Sequence, residues 1–195
     1  MSLDNSKFVT IIVTDLFYNN MNINSQFVVA THIMAILAGN KLYREEHACT
    51  NSGMISKSVN TNPVVIRKIL SKLAEANLVV SKPGPHGGSE VSRHPSKITL
   101  EEIYLAVDER DLLFHMHYGN PNVDCPIGGH IQDSLKVTID RAKEAIKKVL
   151  AEKTLFDLTN DILQRAGLPV SQSPESISKT LRVKIDQYEK ANQKK

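Results

Sequence analysis

Asn62-Pro63, followed by apolar residues at helical spacing and then a Gly-rich loop, constrains the fold of this chain more than any other feature. Asn is a favoured N-cap, and Pro at the first helical position gives up no N–H that the helix needs. The spacing predicts a helix from Pro63 to about Ala76, with Ile66, Ile69, Leu70 and Leu73 on its inner face. Val64, Arg67, Lys68, Ser71 and Lys72 fall on the opposite face. Upstream, Ser52 is placed to cap a short helix whose inner edge is Met54, Ile55 and Val59. Asn60 and Asn62 suit the turn between the helices, because Asn tolerates left-handed backbone. Downstream, Leu78-Val79-Val80 reads as a strand, Pro83 to Gly88 as a tight loop, and Glu90-Val91-Ser92 as the returning strand.

Two short helices, a turn and a hairpin make a winged helix-turn-helix. A DNA-reading helix needs one side anchored in a core and another bearing cations for phosphates and forked donors for base edges. Six cations stand against two acids from Ser52 to His94, a local +4 in a chain of net +3. Positive charge is thus concentrated where a duplex would lie. The residues expected to contact DNA are Ser52, Asn60, Thr61, Asn62, Val64, Arg67, Lys68, Ser71, Lys72, Lys82, His86 and Gly87.

The run SVNTNPVVIRKILSKLAEANLV, a Gly-rich wing and then ITLEEIYLAV resembles the Rrf-two family of bacterial transcription regulators. NPNVDCPIGGHIQ is similar to the YwnA-type branch of that family. The resemblance covers roughly residues 22–163 and implies a homodimeric winged-helix DNA-binding protein, usually a repressor. The family's wing often reads RGxxGGY. Here the Arg and Tyr positions are Pro83 and Ser89, so Lys82 and His86 are the nearest substitutes for an arginine in the minor groove. Several family members hold an iron–sulfur cluster with three closely spaced cysteines. Cys125 stands alone in that region, so no such cluster and no other cofactor is expected.

The fold class expected is mainly α with a small β-hairpin: a winged helix-turn-helix domain plus a long dimerisation helix. Residues 1–20 read as an N-terminal extension, residues 21–98 as the DNA-binding domain, residues 99–165 as a helical dimerisation region, and residues 166–195 as a basic tail or helix. A first helix should run from Asn24 or Ser25 to about Ala38, stopped by Gly39-Asn40, with Phe27, Ala30, Met34 and Leu37 inward. Thr99 to Glu102 matches a capping box ahead of Ile103, Ala106 and Val107. Pro126 to about Lys153 reads as one long helix, about 40 Å at ~1.5 Å per residue. Its stripe of Ile131, Leu135, Thr138, Ala142, Ala145 and Val149 has nearly heptad spacing and suits pairing with a second copy. A shorter helix, Thr154 to Leu163, uses Leu155, Leu158 and Ile162.

Trp is absent and aromatics make up 5% of the chain, so the core should be aliphatic. Two distant cysteines fit a reducing cytoplasm better than a disulfide-stapled secreted fold. The apolar run Phe8 to Phe17 is too short to span a bilayer and contains Asp15, and no cleavage site follows it. Cys125, before Pro126 at the expected helix start, is a candidate redox sensor, because unpaired N–H groups there favour a thiolate. The bland reading is a small residue at a helix start; Cys49 reads as packing. His115, His117, Cys125 and His130 lack metal-ligand spacing, so no metal is expected. No P-loop, GxSxG or dinucleotide fingerprint is present, and an enzyme is not expected. The sequence reads as a cytoplasmic, homodimeric DNA-binding transcription regulator, with a small-molecule or oxidant effector as a candidate partner and no membrane partner. The alternative is a protein-interaction module whose basic helix binds an acidic protein partner.

Overall fold

A computed structural model describes residues 23–43, 50–84, 87–108, 119 and 121–168. The N-terminal extension, Cys49, His86, His115, His117 and the tail from residue 169 lie outside the described residues. The elements in chain order are α1 (Ile23–Tyr43), α2 (Ser52–Val59), α3 (Pro63–Glu75), β1 (Val79–Lys82), β2 (Gly88–Val91), a 3-10 turn (Pro95–Lys97), α4 (Leu100–Val107), α5 (Ile131–Ala151) and α6 (Leu155–Arg165). The strands form one antiparallel hairpin with Val79 opposite Val91 and Lys82 opposite Gly88. Among the described residues the fold is mainly helical with one hairpin, as the spacing predicts.

One aliphatic core joins the hairpin and the described helices other than α5, which has no buried residue. Ala30, Ile33, Met34 and Leu37 come from α1, Ile55 from α2, and Val65, Ile66, Ile69 and Leu73 from α3. Leu78, Val79 and Val91 come from the hairpin region, Ile98 and Ile103 from around α4, and Leu155 from α6. Edge-to-face packing of Phe27 on Tyr104, at 5.8 Å between centroids, adds an aromatic contact between α1 and α4.

Several element ends differ from the expected ones. α1 does not stop at Gly39-Asn40; it continues to Tyr43. A glycine inside a helix costs about 1 kcal/mol relative to Ala, and the contacts of the added turn offset it. Asn40 Nδ2 donates to Thr50 Oγ1 at 2.5 Å. Tyr43 Oη donates to Asn160 Oδ1 at 2.9 Å, and Tyr43 packs with Leu163 and Leu168 in a second apolar cluster. In α2 the cap is Asn51, not Ser52; its Oδ1 accepts from the Met54 N–H at 2.9 Å. Met54 faces solvent rather than the core, leaving Ile55 as the buried anchor of α2.

The largest difference is at α5, which begins at Ile131 rather than Pro126. Residues 122–130 form successive turns, with the Cys125 N–H donating to Asn122 O at 3.2 Å and the Gly129 N–H to Cys125 O at 2.9 Å. A Cβ on Gly128 would come within 2.6 Å of Asn122 O, so this turn requires glycine there. With 21 residues, α5 is about 31 Å long.

After α5 the chain returns to the winged region. Thr99 and Thr154 form an isolated antiparallel bridge, with Leu100 N–H donating to Lys153 O at 3.0 Å and Leu155 N–H to Ile98 O at 2.8 Å. Each threonine also opens a helix with a capping box, completed by Glu102 in α4 and Asp157 in α6. Ile162, expected inward on α6, is exposed, and Leu163 is buried in its place.

Candidate nucleic-acid interface

α2 and α3 meet through a turn built on two asparagines. Asn60 takes a left-handed conformation at φ 53°, and the following Thr61 N–H donates to Ser56 O at 3.1 Å. Asn62 caps α3 through its Oδ1, which accepts the Val64 N–H at 2.8 Å. Its side-chain –NH2 is then the group it can offer outward. Asn60, Thr61 and Asn62 lie together at the leading end of α3.

Burial of Val65, Ile66, Ile69, Leu70 and Leu73 fixes which way α3 faces. Val64, Arg67, Lys68 and Ser71 recur at three- and four-residue steps and form the outward stripe. Arg67 and Ser71 are exposed, while Val64 and Lys68 are half-buried. Ser71 Oγ donates to Glu75 Oε1 at 3.3 Å, which puts one carboxylate at the far end of the stripe. Lys72 leans off its edge: Nζ donates to Gln26 Oε1 of α1 at 3.4 Å.

Between α3 and the hairpin lies a groove of about 480 Å³. Ser52, Arg67, Ser71, Lys82 and Gly87 all line it, together with Ser89. Five expected DNA contacts, from three separate elements, therefore share one concave surface. Asn60, Thr61, Asn62, Val64, Lys68 and Lys72 do not line it. Lys82 Nζ forms an ion pair with Glu90 Oε1 across the hairpin at 3.0 Å.

One cation counted in the basic segment has another role. Arg93 turns inward: Nε donates to Lys97 O at 3.0 Å, Nη1 to Asn77 O at 3.2 Å, and Nη2 pairs with Glu102 Oε1 at 2.5 Å. It ties the end of α3 to the start of α4. Asn77 itself is left-handed at φ 57°, and Leu78 N–H closes α3 by donating to Leu73 O at 2.9 Å.

Two further features lie away from the groove. Cys125 is exposed in the turn before α5. Hydrogen bonds from the backbone N–H groups of Gly128 and then Ile127 lower its thiol from the ordinary value, although the helix starts six residues later. On α5, Ile131, Leu135 and Val149 are exposed, at 40%, 45% and 64%, and Thr138 and Ala145 are exposed with them; Ala142 is half-buried. The expected stripe thus lies open along one side of the helix.

The family described as Rrf2, iron-dependent transcriptional regulator, matches residues 23–161. The chain belongs to the Rrf2 family. The protein is therefore a DNA-binding transcriptional regulator and not an enzyme. YwnA of Bacillus subtilis (strain 168), named as an HTH-type transcriptional regulator, is 38% identical over 140 residues, which are 72% of this chain and 98% of YwnA. A crystal structure described as that of a DNA-binding protein is 32% identical, with a TM-score of 0.53 over 69% of this chain and 98% of that one. The structure described as T. potens IscR shares the fold at 19% identity and a TM-score of 0.53, covering 79% of this chain and 95% of that one. Membership of Rrf2 implies DNA, rather than an acidic protein, as the partner. Iron is a different matter. The region of a three-cysteine ligand set holds Cys125 alone, and among the described residues no three His, Cys, Asp or Glu side chains converge. The residues present do not fit the cluster that the three-cysteine pattern would hold.

No helix among the described residues is long and apolar enough to cross a membrane. Sequence reasoning missed Val65 in the core, Asn51 as the α2 cap and Ser89 in the groove. Asn51 could have been found, since it immediately precedes Ser52-Gly53 and Asn outranks most residues as a cap.

Proposed function

We propose that this Rrf2 protein is a cytoplasmic homodimeric repressor that binds a near-palindromic operator and blocks transcription sterically. The observation that carries the reading is the groove in which Arg67 and Ser71 of α3 face Lys82 and Gly87 of the wing. In this reading Asn60, Thr61, Asn62, Val64, Arg67, Lys68 and Ser71 approach the major groove. Lys82, Gly87 and His86 follow the neighbouring backbone, and Lys72 makes a marginal phosphate contact because Gln26 draws it aside. Ser52 lies at the N-terminal end of α2, where backbone N–H groups favour a phosphate.

The open stripe on α5 supports dimerisation. Ile131, Leu135, Thr138, Ala142, Ala145 and Val149 of two copies would cover one another across a two-fold axis. Two α3 helices would then read half-sites separated by whole turns of the duplex. The signal acts on the segment between the wing and α5, with Cys125 as the candidate sensor. Replacing Cys125 by Ser should abolish an oxidant response and leave basal binding intact.

Selecting bound fragments from genomic DNA, then measuring stoichiometry on the selected duplex, tests this function. Two chains per symmetric site, with salt-sensitive affinity, is the expected result. One chain per site, or selection of no common sequence, contradicts it.

A further inference from the structure

The hairpin is short, four residues per strand, and a two-stranded ribbon of that size is marginal alone. Val79 and Val91 root it in the core, and one further residue adds a backbone link from β2 to the helices. Thr50, just before α2, exchanges both backbone hydrogen bonds with Ser89 of β2, each at 3.1 Å. It acts as a one-residue third strand. Thr50 is 4% exposed and Ser89 is 5% exposed. A Cβ on Gly88 would lie 2.8 to 2.9 Å from the Thr50 backbone, so only glycine permits this approach. The other side of Thr50 is held from α1, where Asn40 Nδ2 donates to Thr50 Oγ1 at 2.5 Å. The next residue, Asn51, caps α2.

The ends of α1 and α2 and the outer edge of the wing therefore meet at one point. Ser81 and Ser89 stand opposite each other in the hairpin, with Oγ atoms 3.3 Å apart, and Lys82 follows immediately. Any tilt of β2 at Ser89 would move Lys82 relative to Arg67 across the groove.

We propose that the Asn40–Thr50 side-chain clasp is a strut that sets the distance between the wing and α3, making Asn40 and Thr50 positioning residues for the wing's phosphate contact. Neither side chain lines the groove. Their effect on DNA is transmitted through the Thr50–Ser89 backbone pair. The inference rests on the reading that the wing touches the duplex, and its test separates the two.

The full-length chain is titrated against a random-sequence duplex over a series of salt concentrations. Lys82→Ala should reduce the steepness of the log–log salt dependence by about one unit, as expected for one lost phosphate contact. Asn40→Ala and Thr50→Val should reduce it by the same amount. Thr50→Ser keeps the acceptor and should retain the wild-type slope. Asn40→Ala added to Lys82→Ala should produce no further change in slope. A slope unchanged by Asn40→Ala, beside one reduced by Lys82→Ala, overturns the strut alone. Uniform weakening at constant slope also overturns it, because that is what lost folding stability would produce. A slope unchanged by Lys82→Ala overturns both the wing contact and the strut. Should Thr50→Val fail to fold, Asn40→Ala decides.

Discussion

Two neighbouring cations on α3, Arg67 and Lys68, are expected to make different kinds of contact. Arg67 is exposed and faces the wing across the groove, where its fork can meet a base edge or a phosphate bidentately. Lys68 is half-buried and lies outside the groove lining. Arg67→Ala should cost ~1–3 kcal/mol, confined to the base pair it reads. Lys68→Ala should weaken binding to all duplexes alike and flatten the salt dependence by about one unit. Binding assays with single-base operator variants at two salt concentrations separate these outcomes. Arg93 should behave unlike either. Its contacts with Asn77, Lys97 and Glu102 are internal. Arg93→Ala should lower folding stability by about 1 kcal/mol, discounted because the pair is partly exposed, and leave the salt slope unchanged. Denaturant melts alongside binding curves check this. Ile66, Ile69, Leu70 and Leu73 on the inner face of α3 were legible because helical periodicity reports them directly, whereas Val65, at the edge of that face, was not. The inward turn of Arg93 was not, because a charge count records sign and position in the chain but carries no information about which partner a long side chain reaches.

At the scale of elements, starts with a side-chain cap were the boundaries easiest to read. Asn62-Pro63, Thr99 and Thr154 each open a helix through a local hydrogen bond that four consecutive residues specify. The run of α1 through Gly39 depends on Thr50, Asn160 and Leu163, which are distant in sequence. The late start of α5 follows from the close approach of Gly128 to Asn122. The opening of α6 also gives a pH signature. Hydrogen bonds from the Thr154 hydroxyl and then its backbone N–H hold the Asp157 carboxyl below its ordinary value of 3.8. A depressed folded-state value means that the stabilisation is complete above the ordinary value and is lost as pH falls through the lower one. Asp157→Asn should therefore destabilise the protein at neutral pH, and the difference from wild type should vanish in strong acid. Thermal melts of both proteins across that range measure it.

At the scale of the whole molecule, the proposed assembly runs through α5. Introducing charge into its open stripe should prevent copies from associating while the winged core stays folded. Leu135→Asp combined with Val149→Asp is expected to sediment as a monomer with an unchanged helical spectrum, and to lose affinity for a symmetric operator far more than for a single half-site. A dimer that persists in this variant would move the interface elsewhere. The stripe was visible in the sequence because a near-heptad repeat survives whatever covers it. What covers it was not, since one chain's spacing fits an internal or an external partner equally well.

Leu155 carries a consequence of a different kind. It is fully enclosed among residues of α1 to α4, although it follows the long helix in the chain. The winged core is thus completed by a plug delivered from beyond the far end of α5. A fragment ending near residue 98 would leave that socket empty, and Leu155→Ala in the intact protein should cost ~2–5 kcal/mol for the same reason. The long helix is thereby tethered to the winged core at both of its ends, through α4 before it and Leu155 after it.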